Sequence, residues 1–326
     1  MHCNIPVFIP QLACPHACIY CNQRYISGQI TAPSLQEVKT TIDTYLSTLS
    51  EDDEVELAFF GGSFTGLSIE EQNNYFSVVK PYINSGRIKS IRLSTRPDYI
   101  DEQILDNLKA NRVEDIELGA QSLCDEVLLY SQRGHTCGDV ERASQLINSY
   151  DFNLGLQMMI GLPLDTKERS VATAKKIVSL GAKTTRIYPT LVIDRTVLAK
   201  LYREGKYQPL DTEQAIDWTK DVYKVFAEAG VKVLRVGLHP SKDILSGKGF
   251  LAGPFHVSFF ELVLSSIWKD KLSSLPKDVS EIYVNPSDIN YAVGYGSSNK
   301  KMLQAINPKI KFLQSSQVPK GDFLLR

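Results

Sequence analysis

Short apolar runs alternate with helix-patterned segments along most of this chain, and that alternation leaves few folds open. Strand-like runs fall at residues 5–10, 55–60, 88–93, 115–120, 153–160, 184–192 and 231–237. Between them apolar residues recur at helical spacing. In residues 34–49, Ser34 is followed three positions later by Glu37, the signature of a capping box. Residues 211–230 close on a glycine, as a helix C-terminus often does. Strands separated by helices return in the same direction, so the expected fold is α/β with a mostly parallel sheet. With 326 residues, 43% of them hydrophobic, the chain can form one α/β barrel around a large core.

Three of the six cysteines, Cys14, Cys18 and Cys21, lie just past the first strand-like run, spaced Cys-x3-Cys-x2-Cys. Barrels of this class carry their chemistry at the C-terminal ends of the strands. Three thiolates on one loop can hold three irons of a cubane cluster. The fourth iron is then open, as in a catalytic rather than a structural metal site. Structural zinc usually takes two Cys-x2-Cys pairs. Cys3, Cys124 and Cys137 are too scattered in sequence to supply a second pair and read as small buried residues. His16 could serve as a fourth ligand only by straining a short loop, so spacing alone leaves a zinc loop or a redox thiol cluster open.

Clustered cysteines without a charged-then-apolar leader argue for metal rather than disulfides, and the expected location is the cytoplasm. No apolar run approaches the roughly 18 residues of a membrane span. A net charge of −1 gives no overall electrostatic case for a nucleic-acid partner, so any such case rests on a local patch.

The string Cys14-Pro15-His16-Ala17-Cys18-Ile19-Tyr20-Cys21-Asn22 resembles the cluster loop of the radical S-adenosylmethionine (SAM) enzymes. Its particular form is similar to the radical SAM part of the Elongator catalytic subunit and, more distantly, to the oxygen-independent coproporphyrinogen III oxidases. The resemblance implies a [4Fe–4S] cluster on Cys14, Cys18 and Cys21, with SAM chelated to the open iron. It implies one-electron cleavage of SAM to methionine and a 5′-deoxyadenosyl radical that abstracts a hydrogen atom from an unreactive C–H. An electron donor such as flavodoxin or ferredoxin is implied as well. So is the architecture: a partial (β/α)6 TIM-like barrel, open at one side.

Further strings extend the resemblance over roughly residues 5–240. Gly61-Gly62-Ser63 follows a strand-like run where the family binds the SAM amino group; Ser63 stands in place of the family's glutamate, as in the Elongator-like branch. Without the resemblance, an ordinary strand-to-helix turn is the favoured reading. Ser94-Thr95-Arg96-Pro97-Asp98 offers hydroxyls and a guanidinium to a carboxylate or phosphate, or else forms a solvated turn. By resemblance Gln121 bonds the SAM ribose, Arg133 pairs with the SAM carboxylate and Gln157 occupies a ribose-binding position. Tyr20 would lie near the adenine. His135 reads as a structural hydrogen-bonder rather than a base. Arg186 and Tyr188 alternate with apolar neighbours and could face the barrel centre.

The pattern changes near residue 240, so a barrel over 1–240 and a small α+β extension over 241–326 are expected. The extension reads strand, helix, glycine loop, helix, strand, which resembles half of a KH nucleic-acid-binding module. Ser297 replaces the second glycine of its Gly-x-x-Gly loop. Lys300, Lys301, Lys309, Lys311, Lys320 and Arg326 face one acid, Asp322, in this tail, a local footprint for RNA. A helical hairpin with solvated lysines is the plain alternative. About 85 residues follow the barrel, too few for the acetyltransferase domain of the Elongator subunit. The expected activity is therefore a radical SAM reaction on RNA such as tRNA. A small-molecule or tetrapyrrole substrate, or a non-catalytic iron–sulfur RNA-binding protein, are the alternatives.

Overall fold

The computed structural model describes residues 2–10, 18–22, 25–26, 31–238, 241–276 and 279–326. Six parallel strands lie side by side in chain order: β1 (His2–Ile9), β2 (Glu54–Gly61), β3 (Ser90–Thr95), β4 (Val113–Gln121), β5 (Asn153–Ile160) and β6 (Thr184–Pro189). A short strand β7 (Val192–Ile193) leaves the sheet, and β8 (Lys232–Val236) returns to pair with β6 as the seventh member. The crossovers carry α1 (Leu35–Leu46), α2 (Ile69–Asn84), α3 (Glu102–Ala110), α4 (Asp125–Tyr130), α5 (Cys137–Ser149), α6 (Lys167–Ser179), α7 (Val197–Arg203) and α8 (Thr212–Glu228).

Local chemistry sets these boundaries. Ser34 accepts from the Glu37 N–H, while the Glu37 carboxylate accepts from the Ser34 N–H at 2.7 Å, so α1 begins where the capping box predicts. Asp211 and Gln214 make the same reciprocal pair at the start of α8. The chain leaves that helix through Gly230 at φ +70°. One face of the sheet and the inner stripes of the helices share a continuous core that includes Leu57, Phe59, Leu93, Leu118 and Leu156, with Ile42, Val79 and Leu108 from the helices. Each such side chain, fully removed from water, contributes about 1.5–3 kcal/mol. Register slips at Ile91/Arg92, Gly119/Gln121 and Thr185/Arg186 add local twist that curls the sheet into a part-barrel.

The sixth strand is shorter than its apolar run suggests. After Pro189 both the N–H and the hydroxyl of Thr190 bond the Ile160 carbonyl, at 3.0 and 2.8 Å, and the chain turns out of the sheet. Val192 and Ile193 then pair antiparallel with β9 (Phe250–Ala252), which follows α9 (Lys242–Leu245). The next helix, α10 (Phe259–Leu272), has an end in each of two cores. Phe259 and Val263 belong to the barrel cluster, whereas Trp268 and Leu272 pack with Ile282, Val284, Leu303 and Ile310.

That smaller core is closed by β10 (Glu281–Val284), α11 (Ile289–Val293), α12 (Ser298–Gln304), β11 (Lys311–Gln314) and β12 (Phe323–Leu325). Strand β10 is central, parallel to β11 and antiparallel to β12. The order from strand through glycine loop to strand matches the sequence reading; β12, three residues long, gave no readable alternation. Ser297 adopts φ +62°, a conformation usually left to glycine. Polar groups of the loop bond within the protein. The Tyr295 N–H donates to Ser265 Oγ (3.0 Å), the Ser297 N–H to the Gly294 carbonyl (2.8 Å) and Asn299 Nδ2 to the Ser265 carbonyl (2.9 Å). Two of these bonds tie the loop to α10 and the third closes the loop on itself, which departs from a phosphate-clamping KH loop.

Candidate active site

The barrel interior is charged where its strands read as apolar. Arg92 on β3 reaches Glu56 on β2 at 2.9 Å, and Asp115 and Glu117 on β4 at 3.0 and 3.1 Å. Arg186 on β6 grips Glu117 through two bonds of 2.6 and 2.9 Å and lies over the Phe60 ring, 5.2 Å from its centroid. Gln157 Nε2 donates to Glu117 (2.8 Å) and to Ser94 Oγ (3.2 Å), so two of the predicted site residues meet directly. Gly155 is required in this layer: a Cβ there would stand 2.7 Å from Thr184 Oγ1 and 3.0 Å from Glu117 Cγ.

Burial works against charge in this layer, and the guanidiniums decide which acids stay ionised. Burial pushes Asp115 up to about 6, with neighbouring Glu56 adding to the shift and Arg92 opposing it. Burial acts the same way on Glu117, but Arg186 and then Arg92 outweigh it and hold Glu117 below the ordinary carboxylate range. Sequence reasoning missed Glu56, Arg92, Asp115 and Glu117. A signal existed: charges at period two within Ile91-Arg92-Leu93 and Asp115-Ile116-Glu117-Leu118, inside strands expected to be covered on both faces.

Above this layer, β1 delivers the chain to the cysteine loop. Cys14 and His16 lie outside the described residues. Cys18 and Cys21 form one turn, closed by the Cys21 N–H on the Cys18 carbonyl at 3.0 Å. The loop is held from several directions. The Ile19 N–H bonds the Ser131 carbonyl (3.2 Å), and the Leu198 N–H bonds the Ile19 carbonyl (2.8 Å). Ile19 packs with Val192, Leu198 and Tyr207. Asn22 Nδ2 donates to the Asp194 carbonyl at 3.1 Å. The Tyr25 ring sits where a Cβ on Gly249 would clash at 2.6 Å. The segment between β6 and α10 thus braces the loop that bears the cysteines.

Arg133, Gln121 and Cys18 converge at the end of β4. Arg133 Nη1 donates to Cys18 Sγ at 3.3 Å, and Nη2 to the Gly119 carbonyl at 2.8 Å. A Cβ on Gly119 would collide with Arg133 Nη2 (2.7 Å) and Gln121 Nε2 (2.8 Å). Gln121 sits on the β4 bulge at φ +65°. Tyr20 has its hydroxyl buried with no hydrogen-bond partner among the described residues. Burial raises its pKa well above the usual phenol value, opposed by Arg133 and reinforced by Cys18 and Cys21. His135 is buried with Nε2 3.3 Å from the Ala120 carbonyl. Burial, then Arg133 and Arg96, push it down to about 3, which suits a neutral structural residue.

The remaining predicted residues lie at the ends of β2 and β3. Gly61 takes φ +113°, and a Cβ there would be 2.9 Å from the Ile9 carbonyl; the Gly62 N–H donates to the same oxygen at 2.9 Å. These glycines bring β2 against the strand that carries the cysteine loop. Ser63 is turned into the β2–β3 junction, 2.7 Å from Thr95 Oγ1, and accepts from the Arg96 N–H at 3.2 Å. Arg96, which the sequence left to either a ligand or a solvated turn, is used within the fold. It is buried and holds Asp98 through two bonds of 2.9 and 2.8 Å.

The described donors fit an iron–sulfur cluster with a bound nucleoside-like partner. Two thiols share one turn, a guanidinium donates to one sulfur, a phenol lies buried beside them, and amide and hydroxyl groups line the barrel beneath. Among the described residues no three His, Cys, Asp or Glu side chains converge as a ligand set; the third cysteine of the loop lies outside them.

A curled parallel sheet with a cysteine turn past the end of its first strand defines an α/β part-barrel of the kind that places its site at the C-terminal ends of the strands. Residues 8–177, just over half of the chain, match the radical SAM superfamily, and residues 182–269 match the radical SAM C-terminal domain. The chain belongs to the radical SAM superfamily. It is 26% identical to the tRNA uridine(34) acetyltransferase of Methanocaldococcus infernus over 65% of this chain and 47% of that protein. It is 25% identical to Elongator complex protein 3 of Bos taurus over 69% of this chain and 51% of that protein. The chain thus spans about half the length of these relatives. Among solved structures it resembles archaeal Elp3 from M. infernus, lacking an N-terminal segment, with a TM-score of 0.65 at 21% identity over 83% of this chain and 63% of that one. Coproporphyrinogen III oxidase from Escherichia coli shares the fold with a TM-score of 0.52 at 15% identity, covering 96% and 63%. Among the described residues, no helix is long and apolar enough to cross a membrane.

Proposed function

We propose that this chain is a radical SAM enzyme acting on RNA, with tRNA as the substrate class. Cys14, Cys18 and Cys21 would hold a [4Fe–4S] cluster, and SAM would lie over the mouth of β2 to β5. When bound, these groups supply reductive SAM cleavage and radical chemistry. The chain's own residues bind, orient and exclude water. Arg133 and Tyr20 line the cysteine turn. Gln121 offers an amide to the ribose at the β4 bulge. Gln157 has its Nε2 committed to Glu117 and Ser94, so its carbonyl oxygen is what it offers a hydroxyl. The ion-paired layer of Glu56, Arg92, Asp115, Glu117 and Arg186 closes the barrel floor beneath them.

The observation that carries this reading is the Cys18–Cys21 turn at the mouth of the part-barrel, with Arg133 bonded to Cys18. The RNA substrate is supported by the names of the relatives and by the tail, where Lys301, Lys309, Lys311, Lys320 and Arg326 are all exposed. Binding through such a patch is salt-dependent. The test is anaerobic: reconstitute the cluster, reduce it with dithionite, add SAM and measure 5′-deoxyadenosine with and without total tRNA. Cleavage stimulated by tRNA is the expected result. Cleavage indifferent to tRNA overturns the RNA assignment, and no cleavage at all overturns the enzymatic reading. Flavodoxin or ferredoxin replacing dithionite is the expected physiological arrangement.

A further inference from the structure

Arg133 reaches a sulfur of the cysteine turn, and its placement is over-determined. Its N–H bonds the Leu128 carbonyl at 3.0 Å, fixing the backbone after α4. Two residues earlier, the Ser131 carbonyl receives the Ile19 N–H at 3.2 Å, tying that same segment to the loop. The side chain is 7% exposed. Nη2 is anchored on the Gly119 carbonyl at 2.8 Å, and the missing Cβ of Gly119 gives the guanidinium room to lie there. With one nitrogen held by β4, the other is directed at Cys18 Sγ at 3.3 Å.

Resting on the reading of Cys18 as a cluster ligand, we propose that Arg133 is a positioning residue that donates an N–H to the Cys18 sulfur and sets the reduction potential of the cluster. One-electron reduction adds negative charge to the cluster and its thiolate sulfurs. A buried guanidinium within hydrogen-bond reach of one of them stabilises the reduced form more than the oxidised form. Hydrogen bonds to sulfur and burial are both levers on the potentials of such clusters, and burial strengthens the charge interaction. This role differs from that of a clamp on the SAM carboxylate. A clamp acts only with SAM present, whereas a bond to the sulfur acts in its absence.

The test is a redox titration of the reconstituted protein followed by electron paramagnetic resonance, without and with SAM, for wild type, Arg133→Met and Arg133→Lys. Without SAM, Arg133→Met is expected to shift the reduced-to-oxidised ratio about tenfold toward oxidised at a fixed potential, a fall of about 59 mV for a one-electron couple. Arg133→Lys, which keeps the charge but not the planar fork, should fall between. A SAM-free midpoint equal to wild type, with only the SAM-induced change lost, overturns the proposal in favour of the carboxylate clamp. If Arg133→Met takes up less iron, Arg133→Lys decides. If both variants keep wild-type circular dichroism yet hold no cluster, the tuning role is overturned, because a tuning contact is dispensable for assembly. Failure of the wild type to take up a cluster refutes the ligand reading instead.

Discussion

Replacing Arg92 with Met should unbalance the barrel floor more than any exposed substitution. Three carboxylates lie 2.9–3.1 Å from this guanidinium. The arginine side chain is 8% exposed and those of its partners are 2–12% exposed. At an effective dielectric near 20, each contact carries a gross attraction of about 5 kcal/mol, most of which offsets the cost of dehydrating both ions. Removing the cation alone leaves that dehydration cost uncompensated. Breaking a buried pair in this way costs about 3–5 kcal/mol. Arg186 still covers Glu117, so the loss concentrates on Glu56 and Asp115. The pH dependence follows. Burial pushes Asp115 up to about 6 from the ordinary 3.8 of an exposed carboxyl. The native state therefore binds more protons between those values, and stability falls as pH rises through that window. Without Arg92 the acid side is favoured further, because protonation relieves the mutual repulsion. Urea unfolding followed by circular dichroism should show Arg92→Met less stable by about 3–5 kcal/mol at pH 7.5, with much of the difference recovered at pH 5. A deficit below about 1 kcal/mol at pH 7.5, or one unchanged at pH 5, refutes the reasoning.

Other residues give independent checks. Cys18→Ala or Cys21→Ala should abolish the visible absorption of the reconstituted cluster while leaving far-ultraviolet circular dichroism unchanged. Because burial and two arginines depress His135 to about 3, the folded state binds fewer protons below pH 6.5 and loses stability on acidification; His135→Gln should flatten that acid limb in melts from pH 7 to pH 4. Gly61→Ala forces a Cβ against the Ile9 carbonyl at φ +113° and should cost about 1–3 kcal/mol, read as a lower urea midpoint. Gly119→Ala should displace Arg133 and Gln121, so SAM-dependent activity should drop more than stability does.

The architecture was legible in the chain because it rests on local and periodic information. Seven apolar runs became the seven strands, and Ser34 with Glu37 and Gly230 marked helix ends where caps form. The cysteine turn was legible because Cys18 and Cys21 are near neighbours in the chain. Three dimensions decided what those positions face. Arg96, open in the sequence to either a ligand or a solvated turn, is buried on Asp98, because the turn after β3 folds it inward. Arg186 and Tyr188 could not be assigned a face from alternation alone; pairing with Glu117 puts Arg186 inside the barrel. The strand expected to run to residue 192 ends at Pro189, because Val192 and Ile193 find partners in β9, nearly 60 residues further on. An alternating parallel fold with three closely spaced cysteines after its first strand could be read from the chain alone, since period and spacing are properties of neighbours. Only the tertiary structure placed Arg133 on Cys18 and five charges in one buried layer, since those contacts join strands and loops far apart in the chain.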